Sequence, residues 1–411
     1  MSQRSSSNIL DQETGSYRWV ILVTVWMTYL TVQILRLSIG PVAPFLKEVL
    51  GISNTQVGLL STATGIIYLP SMAISGWIAD RFGVKRVLVF GTFVGGLMVL
   101  LIFFFPFYNT IFLFMALSGI GFGCIFATAV KGLILWFPFK ERATVLGINQ
   151  AAVNVAGMIA ASLFPLISIT MGWRYSYLFT GIFVIFTGFA CLWLYHDPES
   201  SGRFSLENSR APQSGRQVIY RLLNNRNFWL LVTGTFFVFV VEFSVMANLV
   251  LYLKEDLRFE VVTAGTVLAV AQLSGAIMKP ASGVISDRML HGKRQPVYLA
   301  MCVIAAFVCI FPVAGLPEKS WVVFPIFILL GAATIGSGGI YTTLAGELAG
   351  KESAGTVVGM ATAIANTGIL VGPPLFGMIV DHTGSYRLAW LFMAISAFLA
   401  SFLVFFIREP G

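Results

Sequence analysis

Long, continuous apolar runs constrain this chain more than any other feature of its sequence. Each run holds about 20 mostly apolar residues, the length that an α-helix needs to cross the hydrocarbon core of a bilayer. The runs lack the alternation of apolar and polar residues that marks the strands of a membrane β-barrel. The sequence therefore predicts an all-α membrane protein with twelve transmembrane helices, at approximately 18–38, 56–78, 87–107, 110–135, 144–169, 176–195, 228–252, 262–285, 297–316, 321–345, 355–379 and 388–407.

The charged residues predict how these spans are oriented. Only 11% of the residues are charged, against about 25% in an average soluble domain. Most Lys and Arg residues outside the spans fall on the side of the N-terminus, and this asymmetry predicts cytoplasmic N- and C-termini in a cell (inner or plasma) membrane. The topology accounts for the net charge of +8, so we expect a lipid bilayer around the chain and no nucleic-acid partner.

A polar stretch divides the spans into two groups of six. Residues 196–227 are rich in Ser, Asn and Arg, and we interpret them as a cytoplasmic linker. We expect the chain to work as a monomer. The predicted organisation is a cytoplasmic N-terminal tail, a six-helix bundle, the linker, a second six-helix bundle and a cytoplasmic C-terminus, at residues 1–17, 18–195, 196–227, 228–407 and 408–411.

An internal repeat relates the two groups of spans. Asp80 and Asp287 are 207 residues apart, and the same offset relates Lys47 to Lys254. An offset that is kept over more than one span indicates duplication. Two six-helix bundles related by an axis along the membrane normal are one known plan of secondary transporters.

The loop after the second span carries a charge pattern that recurs in the second half. It reads Gly-x-x-x-Asp-Arg-x-Gly-x-Lys-Arg at residues 76–86, and residues 283–294 repeat its first glycine, its Asp-Arg pair and a basic pair. This pattern resembles the loop signature of the major facilitator superfamily, and the resemblance covers nearly the whole chain. It implies two pseudo-symmetric six-helix bundles. Such a cluster can latch two halves in one state and release them in another, so we expect gating roles for Asp80, Arg81, Arg86, Asp287 and Arg288.

Four ionisable residues lie inside predicted spans: Arg36, Lys131, Glu242 and Lys279. A charge at the centre of a span costs about 2.5–3.5 kcal/mol on insertion scales, so each one indicates a cavity, a partner or a substrate. Three cations against one acid favour an anionic substrate. Two alternatives stay open, namely a structural ion pair between Glu242 and Lys279, and a Lys131 whose ammonium reaches the cytoplasmic surface.

Two local resemblances sharpen this prediction. The stretches that begin at Arg36 (RLSIGPVAPFLKEVLG) and at Lys131 (KGLILWFPFKERATVLG) resemble the anion:cation symporter family, whose corresponding basic residues contact the substrate carboxylate or control its site. The pattern around Lys279 is similar to the eighth helix of monocarboxylate and oxalate/formate transporters. Both resemblances imply a carboxylate-like anion, and they differ over which basic residue is central. Leu35 stands where the symporter family often has an acid, so that family's proton-relay residues are not carried over.

Polar residues at helical spacing complete the predicted site. Asn154 and Asn366, 212 residues apart, are related by the repeat. Each of these polar residues is also consistent with a hydrogen bond between helices. The predicted substrate-binding residues are Arg36, Lys131, Lys279, Tyr29, Gln33, Tyr68, Gln150, Asn154, Gln272, Tyr341 and Asn366.

Glu242 is the only acid within a predicted span. Burial disfavours the charged form of a carboxyl and nearby cations favour it, so Glu242 is the predicted proton-coupling residue. The predicted function is secondary active transport of a small organic anion with protons, by alternating access. An anion exchanger and a drug or metabolite proton antiporter stay open as alternatives, as does the identity of the anion. The sequence contains no nucleotide loop, metal-ligand set or nucleophile–base pair, so we expect no enzyme and no cofactor.

Overall fold

The computed structural model describes residues 2–197, 224–349 and 354–409, and every regular element in these ranges is an α-helix. Most of the predicted linker (198–223) and residues 1, 350–353 and 410–411 lie outside the described residues. The helices of the first half are α1 (Ser2–Arg36), α2 (Ile39–Leu50), α3 (Asn54–Phe82), α4 (Val84–Phe104), α5 (Tyr108–Trp136), α6 (Phe139–Thr170) and α7 (Trp173–Leu194). Those of the second half are α8 (Arg226–Glu255), α9 (Val261–Met289), α10 (Gln295–Ala314), α11 (Val323–Thr334), α12 (Ser337–Ala349), α13 (Ala354–Ala365), α14 (Gly368–Thr383) and α15 (Tyr386–Phe405).

The helices confirm the predicted all-α membrane fold. Within the described ranges, eleven stretches are long and apolar enough to cross a membrane, and α3 makes a twelfth when its two bent parts are counted as one span. Three of the spans consist of two helices in sequence, because the backbone breaks near mid-depth between α1 and α2, between α11 and α12, and between α13 and α14.

The first span is longer than the sequence predicts. Its helix breaks after Arg36 and resumes at Ile39, and the span ends at Leu50 rather than at residue 38. The sequence Gly-Pro after Ile39 resembles a stop signal, but Pro41 lies in the first turn of α2, where a missing N–H leaves no helical bond unmade. The break places Arg36 at the C-terminal end of α1, where the helix dipole favours a cation. In the second half, the repeat-related helix α8 is continuous.

Glycines allow the helices within the first half to pack closely. A Cβ at Gly123 of α5 would lie 2.4 Å from the Cβ of Ser71 on α3, and one at Gly121 would lie 2.5 Å from the Gly91 carbonyl oxygen on α4. In a bilayer, close packing and hydrogen bonds drive helix association, because lipid is as apolar as the side chains. These contacts therefore hold α3, α4 and α5 together within the first half.

The two halves meet closely at only one end of the described bundle. A Cβ at Gly58 of α3 would lie 2.3 Å from the carbonyl oxygen of Pro373 on α14, and one at Gly377 would lie 2.2 Å from the carbonyl oxygen of Asn54. We call the end that contains Lys47 the closed end, and the end that contains Asp80 the open end. Among the described residues, every hydrogen bond and salt bridge between the halves lies at the closed end or at mid-depth.

Candidate functional site

Arg36 lies between the two halves, near the middle of the first span. Its guanidinium carbon is 4.9 Å from the ring centroid of Tyr68 on α3 and 5.4 Å from that of Phe243 on α8. Cation–π contacts of this kind hold a guanidinium in place without neutralising its charge. One of its terminal nitrogens is buried without a hydrogen-bond partner, and no described carboxylate lies within 4.0 Å of it. Arg36 is therefore a positioned cation that is free to bind an anion.

A small cavity lies beside Arg36, at the break between α1 and α2. Both halves contribute to its wall, which is mostly apolar. Its lining includes Arg36, Gly40, Ser61, Phe243, Ile369 and Pro373. One cation in an apolar wall favours an anionic group at this place, because charge attraction is stronger where water is excluded.

Lys279 and Glu242 lie close to the same region. The Lys279 ammonium donates a hydrogen bond of 2.8 Å to the side-chain oxygen of Asn154. Glu242, in the middle of α8, interacts electrostatically with both Lys279 and Arg36. No described basic nitrogen lies within 4.0 Å of its carboxylate, and its side chain is only partly covered. The structure thus brings three of the four predicted in-span charges together, without the direct Glu242–Lys279 ion pair that was the structural alternative.

Lys131 is the predicted in-span cation that the structure separates from this group. Its Nζ lies 2.5 Å from Oδ1 of Asp80, at the open end of α3. A lysine stem can lie along apolar surface while its ammonium reaches the end of a helix. The alternative in which Lys131 reaches outwards fits this geometry, and its predicted contact with the substrate has no geometric support. The group around Arg36 therefore holds two cations and one acid, rather than three cations and one acid.

The other predicted residues of the first half lie near Arg36 on α1 and α6. The hydroxyl of Tyr29 donates to Oε1 of Gln150 at 3.4 Å, and Gln150 is exposed. The side-chain oxygen of Gln33 is buried without a hydrogen-bond partner among the described residues. These three side chains place polar groups on α1 and α6, on the open-end side of Arg36.

The predicted residues of the second half differ in what they contact. Gln272 of α9 accepts a 3.3 Å hydrogen bond at its backbone oxygen from the amide nitrogen of Asn154. Tyr341 is 1% exposed and packs against Phe239, so it forms part of the core. The amide nitrogen of Asn366 donates to a carbonyl of its own helix at 2.8 Å, and does not join Arg36 or Lys279.

The predicted gating residues form ion pairs only within their own halves in the described structure. Asp287 pairs with Arg294 at 2.5 Å, and Arg294 also contacts Glu347 at 3.2 Å. Asp80 pairs with Lys131, as given above. The remaining three residues of the predicted set are exposed: Arg81, Arg86 and Arg288. The structure therefore does not bring the two loops together, as expected of the state in which such a latch is released.

Sequence analysis missed a charge network that joins the halves at the closed end. Lys47 lies 2.8 Å from Glu255 of the other half and donates a 2.9 Å hydrogen bond to Asn54. Lys254 and Glu48 form the repeat-related pair at 3.5 Å. The sequence Leu-Lys-Glu occurs at residues 46–48 and again at 253–255. Opposite charges that are adjacent in a repeat can pair reciprocally across the axis between the halves, and this was the signal available.

Asp381 makes a second connection between the halves at the closed end. Its carboxylate accepts hydrogen bonds from the backbone nitrogens of Asn54 and Thr55, at 2.9 and 2.7 Å. It also accepts from their side chains, at 2.8 and 2.6 Å. A carboxylate at a helix N-terminus satisfies unpaired N–H groups and interacts favourably with the dipole. Asp381 of α14 therefore caps α3, a helix of the other half.

Comparisons with known proteins agree on the family to which this chain belongs. Residues 21–366 match the family model described as the Major Facilitator Superfamily. The chain is 26% identical to the probable sulfoacetate transporter SauU of Cupriavidus necator over 395 residues, which cover 91% of this chain and 90% of that protein. It is 25% identical to the hexuronate transporter of Bacillus subtilis over 391 residues, 91% of each chain.

A solved structure supports the fold. A bacterial homologue of the human lysosomal transporter Spinster, in an inward-facing and occupied conformation, superimposes with a TM-score of 0.79. The alignment covers 95% of this chain and 97% of that chain, at 17% sequence identity. At that identity the likeness concerns the arrangement of helices alone.

Proposed function

The chain belongs to the Major Facilitator Superfamily, and on that premise we propose that it transports a small organic anion together with protons, by alternating access. Two relatives are named for organic anions, sulfoacetate and hexuronate. We further propose that the termini and the open end face the cytoplasm, because the positive charges of the loops favour that orientation. The structure would then correspond to the state that releases or takes up substrate on the inside.

Arg36 is the observation that carries this proposal. A guanidinium near the centre of a membrane span is costly unless something compensates its charge. Its neighbours are two aromatic faces and no described carboxylate within 4.0 Å. A carboxylate or sulfonate would complete the site, since two oxygens match the fork of an arginine in bidentate fashion.

Glu242 is the proposed proton carrier. It shares its surroundings with Lys279 and Arg36. Burial favours its protonated form and the two cations favour its ionised form, so its protonation depends on how the cations are engaged. An incoming anion competes for these cations, so Glu242 binds a proton when the anion is bound. Glu242→Gln imitates the protonated form. We expect this variant to bind substrate and to exchange it across the membrane, but to lose accumulation driven by a proton gradient.

Uptake into proteoliposomes tests the proposal. The purified protein is offered a panel of radiolabelled carboxylates and sulfonates, with and without an inward proton gradient, and Arg36→Ala is measured beside Arg36→Lys. We expect Arg36→Ala to lose about 2–5 kcal/mol of binding free energy for the transported anion, as for other buried charge contacts. Arg36→Lys keeps the charge and loses the fork, so it should bind with intermediate affinity.

Two outcomes would change this account in different ways. Unaltered anion affinity in Arg36→Ala would remove Arg36 from the site. Uptake that ignores the proton gradient but is stimulated by unlabelled anion on the opposite side would identify an exchanger, with Glu242 in a structural role.

A further inference from the structure

Asn154 is held by the second half at both ends of its side-chain amide. Its oxygen accepts the 2.8 Å hydrogen bond from the ammonium of Lys279, and its nitrogen donates the 3.3 Å hydrogen bond to the backbone oxygen of Gln272. Asn154 lies on α6 of the first half and is 1% exposed. A single buried amide therefore ties α6 to α9 at mid-depth.

The two hydrogen bonds of Asn154 belong to a closely packed contact between α6 and α9. One turn further along α6, a Cβ at Gly157 would lie 2.7 Å from the side chain of Gln272. Further towards the closed end, a Cβ at Gly265 would lie 2.3 Å from the carbonyl oxygen of Ala161. The two helices run in opposite directions, so among these contacts the one between Lys279 and Asn154 lies nearest the open end.

The Asn154 oxygen is a weak partner for a buried ammonium. A carboxylate or sulfonate adds Coulomb attraction to the hydrogen bond of a buried ammonium, and a neutral amide oxygen does not. The nearby carboxylate, Glu242, interacts with Lys279 electrostatically but lies beyond 4.0 Å. Lys279 thus keeps a neutral partner on the other half although an acid lies near it on its own half. An anionic group that enters the site can replace the amide oxygen, because it interacts more strongly with the ammonium of Lys279.

We propose that Asn154 is a stand-in for the substrate: it holds Lys279 while the site is empty, and the anionic group of the substrate displaces it and thereby breaks a bond between the halves. Asn154 is then a positioning residue that acts through Lys279, in place of the direct contact with substrate that the sequence predicts. This inference rests on the proposed function. It links binding to movement, because a ligand can shift a conformational equilibrium only through contacts that differ between the states.

Asn154→Asp tests the inference with almost no change in shape. It gives Lys279 a charged partner that an anion cannot displace easily. Near neutral pH we expect the dissociation constant of the transported anion to rise about tenfold or more, a difference of about 1.4 kcal/mol. In acid the new carboxyl is protonated and again offers a neutral oxygen, so the affinity should return towards the wild-type value.

The controls separate displacement from simple repulsion. Lys279 contacts residue 154, and Glu242 interacts electrostatically with Lys279 and with Arg36, so wild type has a pH dependence of its own. The ratio of variant to wild-type dissociation constants at each pH removes that common part. Asn366→Asp adds a carboxylate at the repeat-related position, where the amide does not contact Lys279, and we expect a smaller rise. Asn154→Ala removes the competitor, and we expect it to bind the anion at least as tightly as wild type.

The results distinguish this inference from the proposed function. If wild type binds no anion of the panel, the proposed function fails. If wild type binds an anion, and Asn154→Asp binds it equally well at every pH or Asn154→Ala binds it less tightly, the inference is wrong and the proposed function stands.

Discussion

The two ends of the molecule use ion pairs in opposite ways. At the closed end, Lys47 and Asp381 bond to residues of the other half. At the open end, Asp80 and Asp287 bond to residues of their own half. The chain therefore has charged groups at both ends, and only those at the closed end join the halves in this state. Under the proposed alternating access, the same charged groups can serve both states by changing partners at each end.

The largest effect should come from Asp381→Ala, which removes four hydrogen bonds between the halves at once. Each such bond contributes about 0.5–1.5 kcal/mol, so the population opened at the closed end should rise at least tenfold. A cysteine introduced for Thr62, which is 5% exposed on α3 and donates to the carbonyl oxygen of Ile369 in the other half, reports this opening through reaction with a membrane-impermeant maleimide.

Asp287→Ala is the control for that measurement, because its salt bridge lies within one half. We expect no increase in labelling at position 62. Equal labelling in the two variants would mean that the ends do not differ as described.

A smaller effect should separate the two repeat-related pairs of the closed end. Glu255 bonds to Lys47 and also accepts from Tyr386 at 2.7 Å, whereas the Glu48 side chain is 73% exposed and 3.5 Å from Lys254. Exposed pairs contribute about 0–1 kcal/mol. Glu255→Gln should therefore raise labelling at the closed end several-fold more than Glu48→Gln.

Reversal of the inner pair checks the cause of that difference. The double variant Lys47→Glu/Glu255→Lys restores opposite charges and should recover part of the closure. If the reversed pair is as open as Glu255→Gln, closure does not depend on the attraction between these two charges.

The smallest effect on the closed end is expected from Asp80→Asn at the other end. It breaks a pair with Lys131 that lies within the first half, so closed-end labelling and substrate affinity should stay at their wild-type values. We expect transport to slow, because in the proposed gating role the loop signature joins the halves in the opposite state. Calorimetry and counterflow rates measure the two quantities, and normal rates in both directions would remove the gating role.

The fold could be predicted from the sequence because a bilayer leaves a hydrophobic span few options besides a helix. The break at residues 37–38 could not, since it depends on how α2 packs against α8. Gly40 shows this dependence: a Cβ there would lie 2.0 Å from the carbonyl oxygen of Met246. The glycine is visible in the sequence, but the close contact that requires it exists only when the two halves are assembled.

The sequence predicts some of the charged residues of the candidate site, but not all of the contacts that they make. Arg36, Glu242 and Lys279 stand out because charges are rare in spans, and the structure brings them together. Lys131 stands out equally, yet its long side chain reaches Asp80. A lysine can reach several partners, and the geometry between helices decides which one it contacts. The spacing of residues along one helix does not reveal that geometry. The closed-end pairs could have been predicted only by pairing the Lys and Glu of one repeat with the Glu and Lys of the other.

Distances across both ends test the central claim most directly. Spin labels are placed on two repeat-related exposed pairs, Val49 with Asp256 at the closed end and Phe82 with Met289 at the open end, in a chain whose four cysteines are replaced. The account predicts that a transported anion at acidic pH lengthens the first distance and shortens the second in the same sample. If both distances stay fixed, or both change in the same direction, the two ends do not alternate and the account is contradicted.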